Sequence, residues 1–373
     1  MTIDVATGIS RILKQEGVGW VSTFPVCRVN NALGREEVPM LMMRDDRYAV
    51  AVADAFSRIT GGSRIGVCTF QGGVNAAGMQ YAYAGLAQAY EDGSPVLCIT
   101  DGVPAGTYID ALHMYEAAQK LGRRLGIQMA TVFNQESKTA RRLIDAGALG
   151  RLYYGRAVAF RRRGRPYVDG YGTSNFVQKA TSSGGALIDL GIYYIAQMLY
   201  LLGNTDVKTI SGRTYQEIDM YEDRRSNGRY DVEEMGLGMV RLADDVTMDI
   251  EVSWAQHYEG SESSKVLGSQ GGLKLDPLSY YSTLGDVEMN SSFDLKTADF
   301  RWHATDPNYS AYDGPQEHWI ATLQGRVPGI DTAALALATA LISEGIYLSS
   351  QLGREVTIDE VRERSISTSI ADV

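Results

Sequence analysis

GGALIDLGIYYIAQMLYLLG, residues 184–203, is the stretch on which the reading of this chain turns. Two glycines open it and a helical pattern follows. Leu187, Leu190, Gly191, Tyr194, Ile195, Met198 and Leu202 recur at the i, i+3, i+4, i+7 spacing of one buried helix face. Asp189 and Tyr193 lie four apart, so they share a different face, one turn from each other. A carboxylate and a phenol on consecutive turns after a Gly-Gly pair can handle a proton. The same residues also suit a buried amphipathic helix with a polar first turn and a packed tyrosine, and spacing alone favours that second reading.

The chain around it has 373 residues, enough for roughly two to three domains. It is 45% hydrophobic and 21% charged, an ordinary globular balance that allows a large core. A net charge of −10 argues against a general nucleic-acid binder and against attraction to an anionic membrane surface. No cationic, apolar leader opens the sequence, and no run approaches about 18 uncharged apolar residues. The expectation is a cytoplasmic protein without a membrane span. Cys27, Cys68 and Cys98 make neither a disulfide pattern nor a metal spacing and are expected as small buried hydrophobes. The four histidines are scattered, so no metal site is expected.

Upstream, short apolar runs alternate with helical patterns through residue 104. Strands are predicted at 20–24, 38–43, 65–70 and 96–100, with helices at 9–17, 47–60 and 75–90. That alternation implies a parallel sheet covered on both faces. Gly72, Gly73 and Asn75 open the helix after the third long strand, where backbone N–H groups favour an anion. The order Arg44-Asp45-Asp46, Ala55-Phe56-Ser57-Arg58, Gly72-Gly73, Asn75, Asp92-Gly93-Ser94-Pro95 resembles the pyrimidine-binding domain of thiamine-diphosphate enzymes. The resemblance implies thiamine diphosphate as cofactor, Asp46 in the place of the family's cofactor-protonating Glu, and Gly72, Gly73 and Asn75 near the cofactor. It stops near Pro104. No diphosphate-binding half with its magnesium motif follows, so a partner chain would have to supply one.

Downstream, a helix is predicted at 108–124, a strand at 127–133 and a helix at 137–146. After Gly203 strands follow at 207–215, 232–242, 246–254, 264–267 and 273–275, and a last helix at 330–352. Alternation such as Met248, Ile250, Val252, Trp254 suggests a one-sided sheet. This part resembles the C-terminal domain of the Gfo/Idh/MocA family. The carriers are AGTYIDALHMYEAAQKLGRRL, TVFNQESKTARRLIDAGALGRLYY, the 184–203 helix, GSQGGLKL and ISEGIYLSSQLGREVTI. The resemblance implies an NAD- or NADP-linked oxidoreductase of a sugar, inositol or related polyol. The family's Asp-x-Gly-x-His stands here as Asp189-Leu190-Gly191-Ile192-Tyr193, which puts Asp189 and Tyr193 at the reacting centre. The lysine of the family's Glu-Lys-Pro is missing at residues 100–104. No Gly-x-Gly-x-x-Gly follows any predicted strand.

The expected fold is therefore α/β plus α+β. A Rossmann-like parallel sheet with helices on both faces spans residues 1–104, completed by 105–133. A mainly antiparallel sheet with helices on one face spans 134–373. Lys179 is a candidate replacement cation for catalysis. Arg163, Arg165, Tyr167, Trp254 and His257 are candidate substrate-binding residues, each of which also has a plain structural reading. Expected partners are a small polyol or sugar, a second copy through the C-terminal sheet, and a diphosphate-binding chain under the thiamine reading. A non-catalytic hybrid that binds or oligomerises is a third reading.

Overall fold

The computed structural model describes residues 5–25, 27–71, 77–100, 107–258 and 262–367. Gly72, Gly73 and Asn75 lie outside the described residues. The chain divides into two compact units, Met1–Ala105 and Gly106–Val373.

The first unit runs α1 (Val5–Gln15), β1 (Val21–Thr23), α2 (Arg28–Arg35), β2 (Met40–Met42), α3 (Asp46–Ile59), β3 (Gly66–Phe70), α4 (Ala77–Glu91) and β4 (Val96–Thr100). Its strands form a parallel sheet in the order β2-β1-β3-β4. Both faces are covered, as the alternation predicts. Leu13 of α1 and Val29 and Leu33 of α2 pack with Val21 and Val67 on one side. Ala49, Val50 and Ala53 of α3 and Ala82 of α4 pack with Cys68 and Phe70 on the other. Asp45 caps α3 by accepting from the Tyr48 N–H at 2.9 Å. A Cβ on Gly66 would lie 1.9 Å from the Ala53 carbonyl oxygen, so this strand start admits no side chain.

The second unit runs α5 (Tyr108–Lys120), α6 (Gln135–Asp145), β5 (Leu152–Phe160), α7 (Lys179–Ser182), α8 (Ile192–Leu202), β6 (Val207–Tyr215), α9 (Glu222–Gly228), β7 (Met235–Leu242) and β8 (Thr247–Ser253). It continues with β9 (Lys265–Gly268), β10 (Gly272–Leu275), β11 (Leu278–Leu284), β12 (Val287–Ser292), α10 (Leu295–Thr305), α11 (Pro315–Leu323), α12 (Thr332–Leu352), β13 (Val356–Thr357) and α13 (Ile358–Arg364). The sheet order is β12-β11-β10-β9-β5-β8-β7-β6-β13. Neighbours are antiparallel except β5 and β8, which run parallel from Tyr154↔Thr247 to Phe160↔Ser253. Helices cover one face: Met198 of α8 lies against Gly155 of β5, and Ile346 of α12 against Gly212 and Gly238. The helix-free face carries Arg156, paired with Glu251 and Glu262 at 2.6 Å each, beside exposed Tyr153, Met239 and Tyr281.

Residues 127–133 are not the expected strand, and they do not extend the first unit's sheet. From Gly106 the chain belongs to the second unit, and Ala130–Phe133 is a 3₁₀ turn. The physical reason is that side chains take the groups a ladder would need. Thr332 Oγ1 accepts the Ile127 N–H at 3.0 Å, and the Thr131 carbonyl accepts from Ser137 Oγ at 2.7 Å. Two helical stretches, Lys179–Leu202 and Thr332–Leu352, are long and apolar enough to cross a membrane by length and composition. Each has 61% of its apolar window buried inside the fold, which is how core helices satisfy the same pattern.

One corner of this unit holds a histidine between two carboxylate-bearing residues. His303 of α10 places Nε2 2.9 Å from Asp313 Oδ2 and Nδ1 2.9 Å from the Asp299 carbonyl. Asp313, then the Asp299 backbone, raise its pKa above 6.5. A raised imidazole stabilises the fold below its unfolded pKa, and that contribution is lost as pH rises through the folded value. We expect a small fall in melting temperature from pH 6.5 upward that the His303→Gln chain lacks. Parallel melting curves of the two chains would sink this assignment.

Candidate functional site

The helix that carries Asp189 is fixed at its start by one buried carboxylate. Glu233 accepts the Gly185 N–H at 2.9 Å, the Leu187 N–H at 3.0 Å and the Tyr347 hydroxyl at 2.8 Å. These are the orphan donors of a helix start. Burial raises the Glu233 carboxyl above its ordinary range, although all three donors pull the other way. Gly185 is required here, because a Cβ would lie 1.9 Å from the Glu233 carbonyl oxygen.

The helix then makes one π turn, Leu187–Gly191, before α8 begins at Ile192. Such turns cost hydrogen-bond geometry and recur at functional sites. Asp189 sits in the middle of it. Its Oδ2 accepts the Trp254 indole N–H at 2.9 Å and faces Arg161 Nη1 at 3.9 Å. Trp254 follows the last residue of β8, and Arg161 follows the last residue of β5. The single parallel strand pair thus delivers both partners of Asp189 from its carboxyl ends, where open sheets with parallel strands place ligands.

Tyr193 lies one turn further on and, like Asp189, is half-buried. Its carbonyl accepts from Thr131 Oγ1 at 2.6 Å, which ties the helix to the 3₁₀ turn. A cavity of about 360 Å³ opens beside this helix, with Thr131, Asn134, Phe160, Tyr194, Gln197 and Asp276 in its wall. Asp189, Tyr193 and Arg161 do not line it, although Phe160 and Tyr194, the chain neighbours of Arg161 and Tyr193, do.

Arg161 is itself held. It donates to the Gly164 carbonyl at 3.2 Å, bonds the Tyr171 hydroxyl and lies over the Tyr171 ring at 5.4 Å. Arg163 is exposed, 3.2 Å from Asp169, with its guanidinium 5.1 Å from the Tyr221 ring centre. Arg165 cannot bind substrate. It is 0% exposed, and Asp169, Glu234, the Ile218 carbonyl and the Asp219 carbonyl accept all its N–H groups. Trp254 is also 0% exposed, so it stacks on no sugar and instead orients Asp189. Tyr167 adopts a positive φ of 60°, packs against Gly228 and lies under the Arg224 guanidinium at 4.8 Å. His257 is exposed just past β8.

Lys179 is exposed at the start of α7, where its backbone N–H donates to Asp231 Oδ1 at 2.6 Å. Among the described residues no ion pair joins it to Asp189. The cation beside Asp189 among the described residues is Arg161, the first of the basic run Arg161–Arg165, from which Arg163 and Arg165 were the expected substrate-binding residues. The available signal was its place at the head of that basic run, directly after the apolar strand.

In the first unit Asp46 is 4% exposed, and its Oδ1 accepts the Gln71 N–H at 2.8 Å. That bond ties α3 to the end of β3. Thr23, Thr69 and Asn30 form a buried hydroxyl-amide chain at the ends of β1 and β3, with links of 2.5 and 2.6 Å. Asn30 Nδ2 donates to the Phe24 carbonyl at 2.7 Å. A dinucleotide needs glycines and free N–H groups at the first strand-to-helix turn. Here Phe24 and Pro25 follow β1, and Pro25 has no N–H to offer. Thiamine diphosphate needs a carboxylate that reaches the cofactor; Asp46 is buried and already bonded to its own chain. On the described residues neither cofactor fits this unit in its family's manner. No cluster of His, Cys, Asp and Glu suited to a metal occurs among the described residues.

The comparisons with known proteins divide the chain as the two units do in outline. Residues 137–274 match the GFO/IDH/MocA C-terminal domain. Residues 3–126 match the thiamine pyrophosphate enzyme N-terminal TPP binding domain, so that likeness runs past Pro104 and through α5. The two matches cover different parts of the chain, so it resembles a hybrid of the two. It is 26% identical over 286 residues to D-glucoside 3-dehydrogenase of Escherichia coli strain K12, covering 75% of this chain and 77% of that protein. The aldose-aldose oxidoreductase of Caulobacter crescentus, solved with glycerol, is 18% identical with a TM-score of 0.55, covering 91% of each chain. A levoglucosan dehydrogenase solved with NADH and levoglucosan is 15% identical with a TM-score of 0.59, covering 91% of this chain and 90% of that one. At these identities the solved structures show a shared fold.

Proposed function

We propose that this hybrid recognises a sugar or related polyol at the Asp189–Arg161–Tyr193 centre, as the substrate half of a sugar oxidoreductase whose own first unit does not hold the nicotinamide. One observation carries the reading. Asp189 is fixed by the Trp254 N–H and faced by the Arg161 cation at the carboxyl ends of β8 and β5, on a helix whose Tyr194 lines a cavity of about 360 Å³. The likeness to D-glucoside 3-dehydrogenase supports the substrate class.

The chemistry follows from the groups present. An ionised carboxylate only accepts hydrogen bonds, so Asp189 takes the hydrogens of sugar hydroxyls. The Trp254 N–H leaves Asp189 Oδ1 for that purpose. Tyr193 carries a phenol that exchanges a proton with a reacting oxygen. Hydride transfer in the related enzymes is the work of NAD or NADP. Among the described residues the first unit has none of the glycines and free N–H groups after β1 that would hold such a cofactor in the usual way.

Calorimetric titration of the full chain with D-glucose, a D-glucoside and myo-inositol tests this. Saturable heat with at least one of them is expected, and NAD(H), NADP(H) and thiamine diphosphate with magnesium are each expected to give none. No heat from any sugar or polyol overturns the substrate reading. Binding and reduction of NAD overturns the second clause, and thiamine diphosphate binding would favour the half-subunit reading with a partner chain. Asp189→Asn keeps the shape and loses the charge. It is expected to weaken sugar binding about tenfold or more with the melting temperature nearly unchanged.

The same proposal includes a second copy on the helix-free face of the nine-stranded sheet. Exposed Tyr153, Met239 and Tyr281 there suit a self-complementary contact. Light scattering that returns the mass of one chain would remove it.

A further inference from the structure

β3 and β4 run parallel and place Cys68 opposite Cys98 in the ladder. In-register residues of parallel strands leave the sheet on the same face. The two Sγ atoms are 3.2 Å apart. The third cysteine, Cys27, belongs to the apolar cluster on the other face. Around the pair stand Ala49, Val50, Ala53, Phe70 and Ala82, with Val96 packed against them, so nothing polar separates the sulfurs. Cys68 is fully buried, whereas Cys98 is partly exposed.

We propose that Cys68 and Cys98 are a modification site: a cross-strand dithiol that a small-molecule disulfide oxidises to an intrachain disulfide. The spacing allows it. Paired strands lie about 4.8 Å apart, within the roughly 4.4–6.8 Å that Cα atoms span in disulfides. The order of events follows from exposure and charge. Cys98 is the sulfur that solvent reaches. The hydrogen bond from Cys68 holds its thiol below the ordinary value, and the same contact, then burial, pushes Cys68 up. The Cys98 thiolate attacks one sulfur of the reagent, forms a mixed disulfide and releases one small thiolate, which takes up the proton Cys98 gave. The Cys68 thiol then loses its proton and attacks Cys98 Sγ, which expels the second small thiol with that proton. The chain loses two protons and two electrons, and the reagent takes them up to become two thiols.

The test uses the full chain in native buffer with oxidised glutathione. Free thiols are then alkylated under denaturing conditions, and peptides are mapped by mass spectrometry. The expected product joins the Cys68 and Cys98 peptides, leaves Cys27 alkylated, and reverts with dithiothreitol. In the Cys68→Ala chain, Cys98 should instead keep glutathione as a stable mixed disulfide. The wild-type map decides by itself if that variant does not fold. A wild-type chain in which Cys98 stays glutathionylated, both thiols stay alkylatable, or Cys27 takes part in the link overturns the proposal.

Discussion

Arg165→Ala is expected to cost the second unit about 3–5 kcal/mol, the range for removing one partner of a buried ion pair. The guanidinium lies 2.9 Å from Asp169 Oδ2 and 3.0 Å from Glu234 Oε2, and all three side chains are at most 5% exposed. Its other N–H groups satisfy the Ile218 and Asp219 carbonyls at 2.9 and 3.1 Å. Alanine leaves Glu234 buried without a counter-charge, Asp169 with only the exposed Arg163, and two carbonyls unpaired. Arg165→Lys should fall between, because an ammonium cannot reproduce the five-donor fork. Burial by itself would raise the Asp169 carboxyl, but Arg165 holds it below its ordinary 3.8. A depressed carboxylate stabilises above its unfolded pKa, and that contribution is lost as pH falls through the folded value. Wild type should therefore lose stability below about pH 4 by a component absent from Arg165→Ala. Urea unfolding followed by circular dichroism reads both effects. A variant that unfolds like wild type yet no longer binds sugar would return Arg165 to the substrate site.

Glu233→Ala is the second large effect. It strands the Gly185 and Leu187 N–H groups and the Tyr347 hydroxyl in a buried setting. Each such group costs about 1–3 kcal/mol, so a total of about 3 kcal/mol or more is expected. The lost anchor lies at the start of the helix that carries Asp189, so sugar affinity should fall together with stability. Asp189→Asn, by contrast, should lower affinity alone. Glu233→Gln keeps the volume but sets an NH₂ against a backbone donor, so it too should destabilise. The pH dependence separates the two causes. A carboxyl raised in the fold contributes below its unfolded value, 4.5 here, and loses that contribution as pH rises through the folded value. Melting temperatures of Glu233→Gln from pH 4.5 upward should lack that component. Identical profiles in both chains would mean that Glu233 does not titrate in the fold.

Much of this architecture was legible in local pattern. The alternation of strands and helices before residue 100 described a parallel sheet with both faces covered, and it is one. The strands after Gly203 described a sheet with helices on one face. What was missed had weak local signals. α2, RVNNALGR, is polar except for the face that buries Val29, Ala32 and Leu33. The β11–β12 hairpin did announce itself through Gly285-Asp286, both at positive φ between alternating residues. Residues 127–133 look like a strand because they are apolar and partly β-branched, but no ladder reaches them.

The site divides along the same line. By itself the sequence determined that residues 184–203 form a helix with one buried face, and that Asp189 and Tyr193 share another. It also carried the resemblance of its two parts to two different families, which the family matches repeat. Those properties depend on spacing along a few turns. Only the tertiary structure decided that Arg161, not Lys179, faces Asp189, and that Arg165 and Trp254 are buried supports. It alone brought Cys68 to Cys98. Trp254 meets Asp189 across 65 residues of chain, and the two cysteines meet across 30. Periodicity reports which face of an element is apolar. Which polar groups meet across elements is set by strand order, register and the close packing of helix on sheet.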